Sequence, residues 1–123
     1  YIYCRIQKKN KRTSWRINTN RTMIIYNVTV SLVDKTINEE WLHWMKTKHI
    51  PEVMKTNCFK SNKICRLMVE DEITYAIQYT CEDLATLEKY QSKFAADLQA
   101  DHNKKYKGKF GAFRSILKIV HQQ

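Results

Sequence analysis

The chain has 123 residues, 43% of them hydrophobic, with two Gly, one Pro and a formal net charge of +10. That size and apolar content fit one packed domain and exclude a disordered chain, and no apolar run approaches the roughly 20 residues a membrane-spanning helix needs. The charge is uneven: residues 1–22 hold seven cations and no acid, and the remaining fifteen cations face twelve acids, so the +10 does not by itself indicate a nucleic-acid partner.

Residues 1–22 lack periodicity as well as acids, and they end where Met23 precedes a clean strand. They are expected to be a basic leader outside the fold, with Met23 as the natural start. The other reading is a basic arm for nucleic acid or an acidic partner, in which Trp15 could stack on bases.

Residues 24–33 (IIYNVTVSLV) predict a strand, with Ile24, Tyr26, Val28, Val30 and Leu32 facing a core and Ile25, Asn27, Thr29 and Ser31 opposite. Asp34 and Asn38 are candidate caps for a helix in which Ile37, Trp41, Trp44, Met45 and Lys48 follow helical spacing. Pro51 is expected to break or kink that helix, and Asn57 to take a left-handed exit conformation.

Residues 63–70 and 73–81 read as an antiparallel hairpin around Glu70-Asp71-Glu72. A second helix starts near Glu82-Asp83, with Leu84, Leu87, Gln91, Phe94, Ala95 and Leu98 as its buried stripe. Lys104, Lys105, Lys107 and Lys109 surround Gly108 in a solvated loop. Residues 110–120 form a last strand, with Phe113, Leu117 and Ile119 on the core side and Ala112, Arg114 and Ile116 on the other.

The order β-α-β-β-α-β predicts an α+β, ferredoxin-like fold: a four-stranded antiparallel sheet with two helices on one face. The uncovered face would carry Asn27, Ile64, Arg66, Met68, Gln78, Arg114 and Ile116. That mixture of apolar groups with Arg, Gln and Asn suits a two-fold homodimer with sheets facing each other around a partly polar pocket.

The strings MIIYNVTVSL, EEWLHWMKTKHIPEVMKT, KICRL, ITYAIQYTCEDLATLEKYQSKFAADLQADH and KYKGKFGAFRSIL resemble a family of small uncharacterised proteins common in the Bacteroidota. That family carries a domain-of-unknown-function label and is similar to the dimeric α/β-barrel superfamily. The resemblance covers residues 23–120. It implies fold and lineage and brings no activity, since the superfamily holds cofactor-free monooxygenases, isomerases, haem proteins and plain binders.

For chemistry, His49 is a candidate general base at a helix end, with Glu52 to orient it; the alternative is that His49 only caps the helix. Arg66, Gln78, Arg114 and Asn27 are candidate ligand-binding residues, two Arg being able to grip a carboxylate or phosphate. Equally, the Arg could pair across a dimer or with Glu70 and Asp97. His43 is assigned to the helix surface, and His102 to a place near Tyr106.

No metal site is expected, because Cys4, Cys58, Cys65, Cys81 and the His residues lack ligand spacing, and no cofactor motif is found. Free thiols, and no signal-like apolar stretch near residue 1, lead to a cytoplasmic expectation. The expected function is a small homodimer binding a small ligand or partner at its sheet face, with no membrane and no nucleic acid involved. The alternative is a cofactor-free monooxygenase- or isomerase-like enzyme using His49 and the two Arg.

Overall fold

The computed structural model describes residues 22–123, so the expectation for the basic leader lies outside the described residues. Strands β1 (Ile24–Leu32), β2 (Ser61–Arg66), β3 (Thr74–Cys81) and β4 (Phe110–Lys118) form one sheet in the order β2-β3-β1-β4, with every neighbouring pair antiparallel. Between β1 and β2 run a 3₁₀ turn (Lys35–Ile37), helix α1 (Asn38–Trp44), a π-turn (Met45–His49) and helix α2 (Ile50–Met54). Helices α3 (Leu84–Lys93) and α4 (Ala95–Lys105) connect β3 to β4. This is the expected β-α-β-β-α-β sheet, with its helices on one face.

The helix before β2 does not break at Pro51. Its backbone stays helical from Trp44 through Lys55, and the change occurs one turn earlier, in hydrogen bonding. In the π-turn the Ile50 N–H reaches back five residues to the Met45 carbonyl. The buried residues of this run are Ile37, Trp41, Met45, Ile50 and Val53. A regular helix would have turned residue 49 inward after Met45; the wider turn absorbs one residue and brings Ile50 to the core instead. It also places Pro51 at the start of α2, where a missing N–H costs least. Lys48 is therefore not part of the buried stripe; it is exposed and paired with Glu52 at 3.3 Å.

Asp34 caps the 3₁₀ turn by accepting from Thr36 N–H at 3.0 Å, whereas the Asn38 side chain accepts the Tyr75 hydroxyl at 2.6 Å and does not cap α1. Asp83 caps α3 by accepting from both the N–H and the hydroxyl of Thr86. Asn57 takes the expected left-handed conformation, with φ 62°. Phe94 interrupts the long second helix with φ −125° and splits it into α3 and α4, which the buried stripe alone did not indicate.

On the helix side, β1 and β3 bury the residues that alternation predicts: Ile24, Tyr26, Val30, Leu32, Tyr75, Ile77 and Tyr79. The two edge strands turn out the other way round. Val28 lies opposite Arg114, Val30 opposite Ala112, and Tyr75 opposite Arg66. Directly paired residues share a face, so Arg114, Ala112, Ile116, Ile64 and Arg66 lie on the helix side, and Phe113, Ser115, Leu117, Lys63 and Cys65 lie on the open side. The reason is that both edge strands carry apolar residues on both faces, so only pairing with β1 and β3 fixes their register.

The open face is held by small polar groups. Gln78 donates to the Asn27 carbonyl at 3.2 Å, and the Asn27 amide donates to Thr29 at 3.1 Å and Ser115 at 3.3 Å. Ser31 and Thr74 share a bond of 2.8 Å. Beside this ladder Phe113 and Leu117 remain 64% and 41% exposed.

Candidate functional site

Two aromatic clusters fill the space between helices and sheet. At one end Phe59 packs on Tyr90 at 4.8 Å and on Tyr79 at 5.1 Å, with Tyr26 stacked beside it. At the other end Trp44 stacks on His49 at 5.1 Å, and His102 meets the edge of Phe110 at 4.2 Å and lies 5.6 Å from Tyr106. Rigid rings of this size do not close completely on one another. A cavity of about 40 Å³ is left between the clusters. Its floor is the sheet (Tyr26, Val28, Ile77, Tyr79), its walls are Met45, Val53 and Leu98, and its polar groups include His49, His102 and Arg114.

Each polar group is placed by a local feature of the sequence. His49 is the last residue of the π-turn, and its Nδ1 is sealed from solvent with no hydrogen-bond partner among the described residues. An unpartnered buried nitrogen costs about 1–3 kcal/mol. Burial pushes the His49 pKa below its usual value; Glu52 and Asp101 oppose the shift, and Arg114 adds to it. His102 continues the α4 stripe one turn beyond Leu98, and Tyr106 follows one turn later. Trp41, fully buried on α1, donates its Nε1–H to His102 Nε2 at 2.9 Å. Burial, with smaller contributions from His49 and Arg114, lowers the His102 pKa to about 4. Both imidazoles are therefore neutral near pH 7. Arg114 is exposed on edge strand β4 and reaches the cavity from its rim. Burial also raises the phenol pKa values of Tyr79 and Tyr90, so these stay protonated.

Of the residues singled out from the sequence, the structure brings together His49 and Arg114. Glu52 bonds Lys48 and acts on His49 only through its charge, so there is no His–Glu dyad. Arg66 is on the helix side but at the far edge, exposed, with its guanidinium 5.8 Å from the Tyr75 ring. Asn27 and Gln78 lie on the opposite face and satisfy each other. His43 is on the helix surface, and His102 packs beside Tyr106, as expected. Missed altogether were the roles of His102 and Trp41. The signal for His102 was present: Leu98, His102 and Tyr106 recur every fourth residue.

Among the described residues no group of three or more His, Cys, Asp or Glu could hold a metal ion, and no helix is long and apolar enough to cross a membrane.

A sheet of this order with helices on one face makes the chain a ferredoxin-like α+β protein. Solved structures agree at low sequence identity. A dimeric ferredoxin-like protein from an uncultured marine organism superposes with TM-score 0.63 at 12% identity, covering 83% of this chain and 99% of that one. A second dimeric ferredoxin-like protein from an uncultured marine organism gives 0.65 at 9%, covering 83% and 98%. A proposed antibiotic-biosynthesis monooxygenase from Bacillus cereus gives 0.57 at 9%, covering 83% and 97%. The chain belongs to the family defined by the domain of unknown function DUF4286, which matches residues 23–120. Comparison with curated proteins gives no match.

Proposed function

We propose that this protein is a cytoplasmic homodimer that pairs through its open sheet face and binds a small molecule with an acidic oxygen on the helix side of the sheet. The observation that carries the binding reading is the unpartnered, sealed Nδ1 of His49 in a mostly apolar and aromatic cavity rimmed by the Arg114 guanidinium. Such a cavity with a few convergent polar groups is the usual form of a small-molecule site. Its enclosed volume takes one or two waters or the polar end of a larger molecule. The remainder of that molecule would lie toward exposed Arg114 and Ala112 on β4. Pairing through the open face is supported by exposed Phe113 and Leu117 and by the dimeric state named for two similar structures. Free Cys58, Cys65 and Cys81 suit a reducing compartment.

Titration calorimetry with benzoate tests the binding reading. The wild-type protein is expected to bind, and Arg114→Ala to weaken binding by about tenfold or more, since a charge-assisted bond contributes roughly 1.5–3 kcal/mol. No binding by the wild type, or equal binding by Arg114→Ala, would overturn it.

One observation favours a second reading, catalysis of the dimeric α/β-barrel type without a cofactor. A neutral, buried His49 near a cation can accept a proton from a ligand, while Arg114 stabilises the resulting anion. Wild-type protein would then accelerate exchange of the acidic C–H protons of an aryl ketone in D₂O, and His49→Gln would not. Equal rates would remove the enzyme reading and leave the binding reading untouched.

A further inference from the structure

We infer that Trp41, which does not line the cavity, sets its hydrogen-bonding sense through His102, so that the site selects ligands presenting an oxygen acceptor, a carboxylate or enolate. The inference rests on the cavity being a ligand site and concerns what it selects.

The indole Nε1–H can only donate. Its bond to His102 Nε2, 2.9 Å long and buried, therefore requires that nitrogen to be unprotonated. In a neutral imidazole the proton must then sit on Nδ1. His102 lines the cavity, and the ring nitrogen that Trp41 leaves free is a donor. The ring cannot easily turn over to present the other nitrogen. Phe110 meets it edge-on at 4.2 Å, Trp44 lies 5.7 Å away, and Tyr106 lies 5.6 Å away. Trp41 is itself immobilised by stacking on Tyr75 at 5.1 Å. Arg114 lines the same cavity and can also only donate, so both groups favour an acceptor on the ligand. An acceptor oxygen satisfies both, whereas an ammonium group would meet a cation and an N–H. Trp41 is thus a positioning residue: it fixes a tautomer and touches no ligand.

Two-bond ¹⁵N–¹H correlation spectra of the full chain at pH 7 read the His102 tautomer directly. The wild type is expected to show Nδ1–H. Trp41→Phe, which keeps a ring and deletes the donor, is expected to lose that preference and to bind benzoate about two- to fivefold more weakly, in proportion to the share of rings that no longer hold the proton on Nδ1.

A second pair of variants serves if Trp41→Phe does not fold. His102→Asn keeps an amide near the Nδ1 position and is expected to retain benzoate binding within a few-fold. His102→Gln moves the amide to the Nε2 position and is expected to lose about tenfold. An Nε2–H tautomer in the wild type would overturn the inference. So would wild-type affinity in Trp41→Phe, or equal affinities in His102→Asn and His102→Gln, and either result would leave the ligand site standing. Failure of the wild type to bind benzoate would remove the ligand site and this inference together.

Discussion

At pH 7 the His102 ring accepts a hydrogen bond from Trp41, and protonation would place two N–H groups face to face. That conflict and burial act in the same direction. The unfolded chain takes up this proton near pH 6.5 and the folded chain only near pH 4. Stability is therefore fully present above pH 6.5 and falls as pH drops from 6.5 to 4, by about 3 kcal/mol at full development. His49, also lowered, acts with the same sign. Urea unfolding at pH 7 and pH 4.5 is expected to show a loss about 2 kcal/mol larger for the wild type than for His102→Gln. Equal losses would contradict the assignment. Of this cluster the sequence showed His49 as a chemical candidate and Trp41 as core. The contact between Trp41 and His102 joins residues 61 apart in the chain. No local pattern records such a contact, so the tautomer it fixes could not be read from spacing.

Among the elements, the π-turn decides where His49 lies. Trp41 and Met45 are four apart, but Ile50 follows Met45 by five, and all three are buried. That five-residue step was visible in the sequence, yet Pro51 drew the expected irregularity to itself. Deleting Thr47, which is exposed and lies inside the turn, would restore a regular helix and carry Trp41, Met45, Ile50 and Val53 to the core in unbroken register. The deletion variant is expected to unfold cooperatively within a few degrees of the wild-type melting temperature while losing benzoate binding, because His49 is re-aimed. Deleting exposed Glu88 within α3, where no such turn absorbs the change, is expected to unfold the domain. Thermal melts followed by circular dichroism separate the two cases; equal damage from both deletions would show that the π-turn has no such tolerance. Strands β1 and β3 were legible because one face of each is apolar and the other is not. Strand β4 was not legible: Phe110, Ala112 and Ile116 on one face match Phe113 and Leu117 on the other, and an edge strand is exposed on both. Its inversion moved Arg114 from the open face to the cavity, and with it the candidate site.

For the whole molecule, the two faces of the sheet differ in character. The helix side holds the cavity, and the open side carries a satisfied polar ladder with exposed Phe113 and Leu117. Placing a charge at the centre of a sheet-to-sheet interface should prevent pairing without disturbing the core. Phe113→Glu is expected to sediment as a folded monomer at micromolar concentration where the wild type sediments as a dimer. A variant that remains dimeric would move the interface elsewhere. The division of labour between the faces is tested most directly by mapping backbone amide shifts during a benzoate titration of the wild-type protein. The shifts are expected to concentrate at His49, His102 and Arg114. Shifts centred instead on Asn27, Gln78 and Ser115 would contradict the account and return ligand binding to the open face.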